Sequence, residues 1–168
     1  EEEVKNNLQE LTKTRSVNQL FLHSYLAYEK YFHADLRTVL ATPEQLWEIK
    51  KQYPEFFIVS DSTAQSDGRF FYNGEADVNL ELPELSEIAW KTTNSINITN
   101  SLNYDCLYEL ESLYNLQRKV DSENKLLTDV ILENDMDGLM RVLIIMGQIE
   151  EQLVEDYKNM LDLLKECR

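Results

Sequence analysis

The chain has 168 residues, 43% hydrophobic and 10% aromatic, with four glycines and three prolines. That length suits a single domain that can bury a core without disulfides or metal as staples, and the composition excludes a disordered or turn-rich chain in favour of helices. The 31 acidic against 16 basic side chains leave a net charge of -15, which repels nucleic-acid phosphates and anionic lipid surfaces and discounts both as partners.

The acidic excess is uneven. Residues 1–40 carry six acids and five bases, whereas residues 83–168 carry 17 acids and eight bases. A solvated helix surface in the C-terminal half is the plain reading. No run reaches the roughly 18 apolar residues of a membrane span. The longest candidate, Leu139 to Gly147, is broken by Arg141. Glu1-Glu2-Glu3 opens in a helix-like pattern with no initiator Met, so the chain reads as a piece of a longer precursor whose signal or anchor was removed.

In chain order, Val4, Leu8, Leu11, Val17, Phe21, Tyr25, Tyr28, Phe32, Leu36 and Val39 recur three or four apart, predicting one long helix from Val4 to Leu40. Thr42-Pro43-Glu44-Gln45 supplies a capping box with proline at the first helical position, so a second helix starts there and ends before Pro54. Residues 55–82 change character: Phe56-Phe57-Ile58-Val59 and Arg69-Phe70-Phe71-Tyr72 flank a polar link containing Gly68. A β-hairpin and an irregular insertion packed by its aromatics both fit this pattern.

Helical spacing returns from Pro83 to Ile96 with Leu85, Ile88, Ala89 and Thr92, and fades through 97–101. Asn103 can cap a helix carrying Leu107, Leu110, Tyr114, Gln117, Val120, Leu127 and Ile131, which breaks between Asn134 and Gly138. The last stripe, Leu139, Val142, Met146, Ile149, Leu153, Tyr157, Met160 and Leu164, steps by three or four throughout. The expected fold is mainly α: a single domain over 1–168, an antiparallel bundle of about four main helices, with a short irregular or β-hairpin insertion near 55–82.

Catalytic and metal-binding patterns find little support. His23 and His33 are ten residues apart on the expected first helix and share no ligand spacing. Glu133-Asn134-Asp135-Met136-Asp137-Gly138 resembles the start of a calcium loop, but its twelfth position is Ile144, and a helix break with Gly138 as C-terminal cap explains the same letters. Cys106 falls in the first turn after Asn103, where a helix N-terminus favours a thiolate, yet no histidine lies nearby, and a small buried residue is the simpler role. Cys106 and Cys167 lack CxxC or zinc-type spacing, and their separation leaves pairing open. Glu150-Glu151 and Glu155-Asp156 read as a charged helix face. The four scattered glycines match no phosphate loop. No enzyme, metal or cofactor is expected.

The stretch with most information is Ala89-Trp90, a few polar residues, Ile96 and Ile98, and then Tyr104, Leu107, Leu110, Leu113, Tyr114 and Gln117. This order resembles uncharacterised bacterial membrane-anchored proteins with an N-terminal transmembrane helix followed by a helical extracytoplasmic domain, found in Bacteroidetes and proteobacteria. Leu11, Asn18 and Leu36 to Leu40 are similar to the segment after their anchor. The resemblance covers about a third of the chain. A Gly usual after the Trp is replaced by the Asn94 to Asn97 region, and Pro54 to Pro83 has no counterpart.

The resemblance implies the periplasmic face of a bacterial inner membrane and a removed N-terminal anchor, and it implies no activity. Trp90, Leu107, Leu110, Tyr114, Ile149 and Leu153 are expected as structural core, with Trp90 and Tyr114 locking two helices together. The favoured function is contact with a protein partner or with a second copy. The alternative is a small-molecule sensor whose cleft lies at the aromatic insertion and is lined by Phe56, Phe57, Phe70, Phe71 and Tyr72.

Overall fold

The computed structural model describes residues 1–96, 103–133 and 135–167. The fold is mainly helical with a small antiparallel sheet. Two compact units are present: Glu1–Ser16 with Glu81–Arg168, and Val17–Leu80. Helix α1, Glu2–Tyr28, begins in the first unit, and its later turns belong to the second. The inserted segment is therefore wider than the aromatic stretch near 55–82.

In the first unit, α1 is joined by α3, Ile88–Ser95, α4, Tyr104–Leu132, and α5, Met136–Leu163. Asn103 caps α4 as its sequence suggested, its side chain accepting from the Cys106 N–H at 2.8 Å. The α5 start differs from expectation. Asp135 is the N-cap, accepting from the Gly138 N–H at 2.9 Å, so Gly138 lies in the first turn of α5 and does not end α4. A side chain at Gly138 would collide with the Asp135 carboxylate that makes this cap.

The core of this unit contains Val4, Leu11, Trp90, Leu110, Leu113, Tyr114, Val120, Leu153, Tyr157 and Met160. Leu107 and Ile149 are partly buried against it. The α4 and α5 helices run antiparallel: Gln117 meets Tyr157, and a Cys106–Cys167 disulfide joins the start of α4 to the end of the chain with Cα atoms 6.1 Å apart. No helix among the described residues is long and apolar enough to cross a membrane.

The helical signal from Pro83 yields less helix than expected, because α3 starts only at Ile88. The cause is tertiary. Ser86 gives its N–H to Asn7 Oδ1 at 2.9 Å, and its carbonyl accepts from Asn7 Nδ2 at 2.7 Å and Gln117 Nε2 at 3.2 Å. Backbone groups held this way are not available to a helix. Ile98, part of the resemblance, lies outside the described residues.

In the second unit, α1 stops at Tyr28 and does not continue to Leu40. A 3-10 turn, Glu29–Tyr31, leads into β1, Phe32–His33, and β2, Asp35–Ala41. The apolar spacing of Phe32, Leu36 and Val39 mimicked a helix, but in β2 Val39 and Ala41, two apart, are buried on one face while Leu40 between them is half-buried on the other. Pairing decides it: Val39 opposes both Phe32 and Tyr72 in the sheet. Ala34 adopts the left-handed conformation, φ 69°, to turn the chain between β1 and β2.

The capping box at Thr42 forms as its residues suggested. Gln45 donates its N–H to Thr42 Oγ1 at 3.3 Å, and Thr42 donates its own to Gln45 Oε1 at 2.9 Å, starting α2, Pro43–Gln52.

Of the two possibilities for the aromatic stretch, the hairpin is found: β3, Phe57–Ala64, pairs with β4, Phe70–Ala76, giving the order β1-β2-β4-β3. Gly68 takes φ 82° in the link, where the Gln65 N–H donates to the Arg69 carbonyl at 2.8 Å. Phe21, Tyr25, Tyr28, Phe32, Phe56 and Phe57 form one aromatic cluster that includes the start of β3, with ring centroids 5.2 to 6.4 Å apart.

Candidate functional site

The five aromatics expected to line a cleft do not converge on one. Phe56 and Phe57 are buried in the aromatic cluster. Phe70, Phe71 and Tyr72 are half-buried, and as consecutive β4 residues they alternate between the sheet faces. Phe70 stacks on Tyr72 at 5.8 Å, while Phe71 meets His33 at 5.0 Å. His33 thus lies on β1, not on α1 as expected, and His23 is exposed on α1.

A cavity in the second unit holds about 210 Å³. Its floor is apolar, from Val17, Leu20 and Phe21 of α1 and from Tyr53, Pro54 and Phe56 after α2. Ser24, Gln52, Glu55, Asp77 and Asn79 supply its polar edge. Of the five expected residues, Phe56 alone contributes to this lining. No sequence pattern marked its position; Leu20 on α1, a large apolar residue 62% exposed, is the side chain it leaves open. Its volume falls below the roughly 300–1,000 Å³ of ordinary ligand pockets, so it suits a small molecule or a single side chain.

The first unit holds a junction of polar side chains that sequence spacing did not reveal. Glu3 Oε1 accepts from the Tyr114 hydroxyl at 2.6 Å, and Oε2 accepts from the Ser86 hydroxyl and the Ala89 N–H, both at 2.8 Å. Glu3 therefore caps α3 from another helix, and no side chain within the α3 segment does so. Burial pushes the Glu3 carboxyl up, but the hydrogen bonds from Tyr114, Ala89, Ser86 and Trp90 outweigh it and hold the carboxyl below its usual range. The Tyr114 hydroxyl moves the other way, pushed up by burial and by the carboxylate it donates to.

Next to it, Asn7 donates to Gln117 Oε1 at 3.1 Å, and the Tyr157 hydroxyl donates to the same oxygen at 2.7 Å. The Trp90 ring stacks on Tyr114 at 5.3 Å with planes 6° apart. These groups satisfy one another, with no nucleophile facing a base, so their chemistry is that of holding helices together.

Two other expected positions change meaning. Cys106 is fully buried and bonded to Cys167, so no thiol is present there to act as a nucleophile. Glu150, read as part of a charged surface pair, is instead fully buried, and neither carboxyl oxygen has a hydrogen-bond partner. Met146, Gly147 and Leu153, three or four residues away on α5, put its position on the core side. Tyr104 and Tyr108, by contrast, are exposed and stack at 6.4 Å. Compared with protein-family models, curated proteins and solved structures, the chain matches none.

Proposed function

We propose that this chain is an extracytoplasmic helical domain that acts by contact with a protein partner or a second copy of itself and carries no chemistry of its own. In this reading α1, α3, α4 and α5 form an antiparallel bundle on the periplasmic face of a bacterial inner membrane, attached through an N-terminal anchor, as the resemblance implies. The Cys106–Cys167 disulfide is the observation that carries the location, because such bonds persist in oxidising compartments and are rare in reducing ones. Contact is supported by large apolar side chains left in water: Leu126, Ile131 and Leu132 on the last turns of α4, and Ile144 and Ile145 on α5.

The test has two parts. Sedimentation equilibrium of the whole chain is expected to show concentration-dependent association that Leu132→Lys and Ile145→Lys weaken together. A strict monomer with no change in either variant would remove self-association. Thiol titration of protein taken directly from its native compartment is expected to find no free thiol, and two free thiols would remove the location.

The cavity of about 210 Å³ favours a second reading, a small-molecule sensor. Fragment screening by NMR, with Leu20→Glu as the control that alters its floor, separates that reading from the first.

A further inference from the structure

Glu150 is 0% exposed, on the α5 face that also buries Met146, Gly147 and Leu153. Both of its oxygens lack a hydrogen-bond partner. A carboxylate without water or donors is far more costly than a neutral carboxyl in the same place.

Arg15 of α1 presents the complementary anomaly. Its Nε is buried and unpartnered, while its Nη2 donates outward to Glu151 Oε2 at 3.3 Å, on a side chain 74% exposed. The guanidinium, whose charge acts on Glu150, thus pairs with the exposed neighbour Glu151 instead. We infer that Glu150 and Arg15 form a proton-operated latch between α5 and the first half of α1, closed while the Glu150 carboxyl is neutral and rearranged when it ionises.

The surrounding charges allow this. On α5 the neighbouring acid, Glu151, is held by Arg15. On α4, Asp121 feels Glu87, Lys125 and Lys91. Before α3, Glu87 pairs with Lys91 and Arg118. Among the described residues, Arg15 is the charge that acts on Glu150. Burial pushes the Glu150 carboxyl up to about 7, against the pull of Arg15.

When the pH rises past that value, the proton leaves to solvent and the new anion requires a donor. The unpartnered Arg15 N–H is already inside. Pairing with it exchanges an exposed Arg15–Glu151 contact for a buried Arg15–Glu150 one. Drawing the guanidinium inward disturbs the apolar contacts α1 and α5 share through the core that contains Leu11 and Leu153.

Because the folded value is raised above 4.5, the stabilisation is fully present below 4.5 and is lost as pH rises through about 7.

Carbon-13 titration of the Glu carboxyls in the whole chain, with urea unfolding at each pH, tests the latch. The Glu150 signal is expected to titrate near 7, and the folding constant to fall by up to about tenfold per pH unit between 4.5 and about 7. Glu150→Gln is expected to flatten that slope, and Glu151→Gln, which releases Arg15, to lower the Glu150 titration point. Proton exchange at Arg15 Nε, measured against its intrinsic base-catalysed rate at each pH, is expected to become more protected once Glu150 ionises. Titration of Glu150 in the ordinary carboxylate range would overturn the latch, and this measurement on the unmodified chain decides the matter even if Glu150→Gln fails to fold. Protection of the Arg15 Nε–H that stays the same across the transition would overturn the change of partner.

Discussion

The Tyr114 hydroxyl donates to Glu3 Oε1 at 2.6 Å across 111 residues of sequence, and the same carboxylate caps α3 through the Ala89 N–H. One side chain of α1 thereby orients the ring on which Trp90 stacks and starts the helix that carries Trp90. Replacing Glu3 with Ala removes a cap and a charge-assisted hydrogen bond together, and is expected to cost about 1–2 kcal/mol. Glu3→Ala, Tyr114→Phe and the double variant, measured by urea unfolding, should show strong coupling. Strict additivity would mean the contact does not carry the stability.

The Glu3 carboxyl lies below its ordinary 4.5 in the folded chain, so its contribution is present above that value and is lost as pH falls through the folded one. Unfolding of Glu3→Gln and the parent chain should therefore converge in stability on acidification. This is opposite in direction to Glu150, whose contribution is lost on going upward. A gap between Glu3→Gln and parent that stays constant into acid would contradict the assignment.

Trp90→Ala removes a nearly fully buried ring whose plane lies 6° from that of Tyr114. A loss of about 3–5 kcal/mol is expected, in the range for large buried aromatics. Trp90→Phe keeps a ring for stacking and should recover part of it. Thermal melting with no change in either variant would remove Trp90 from the core.

The Cys106–Cys167 bond closes a sequence separation of 61 residues, for which loop-closure entropy sets a limit of about 4 kcal/mol. The expected loss on Cys167→Ser is smaller, about 2–4 kcal/mol, because the chain beyond α5 can then fray. Hydrogen exchange should locate that fraying after Leu163. Uniform acceleration across α4 and α5 would indicate a wider role.

Gly74 faces the Ile58 carbonyl so closely that a Cβ there would overlap it. Gly74→Ala is expected to force β4 off β3 beside the irregularity at Val59 to Asp61, costing about 1–3 kcal/mol. Gly68→Ala meets no neighbour but carries φ 82°, so only backbone strain of about 1 kcal/mol applies. Urea midpoints of the two variants should fall in that order.

Local chemistry was legible where it was self-contained. Thr42 with Gln45, and Asn103 before α4, form caps within three residues, and each is found as its pattern suggested. The segment from Phe32 to Val39 was not, since apolar steps of four and three satisfy a helix and an irregular strand alike until a partner strand takes the backbone hydrogen bonds. For Glu150 a signal existed: Met146 and Leu153 lie four and three residues away on the same helix side. Its charge, and the adjacent Glu151, masked it.

By itself the sequence determined the helical character, the capped starts of α2 and α4, and Trp90 and Tyr114 as core aromatics, because propensity, capping and apolar period act over a few residues. The tertiary structure alone decided that Glu3 and Asn7 meet Ser86 across 83 and 79 residues, that Cys106 meets Cys167, and that Glu150 is sealed from water. Each of these depends on which helix face meets which, and that is settled by packing the whole chain rather than by any one stretch of it.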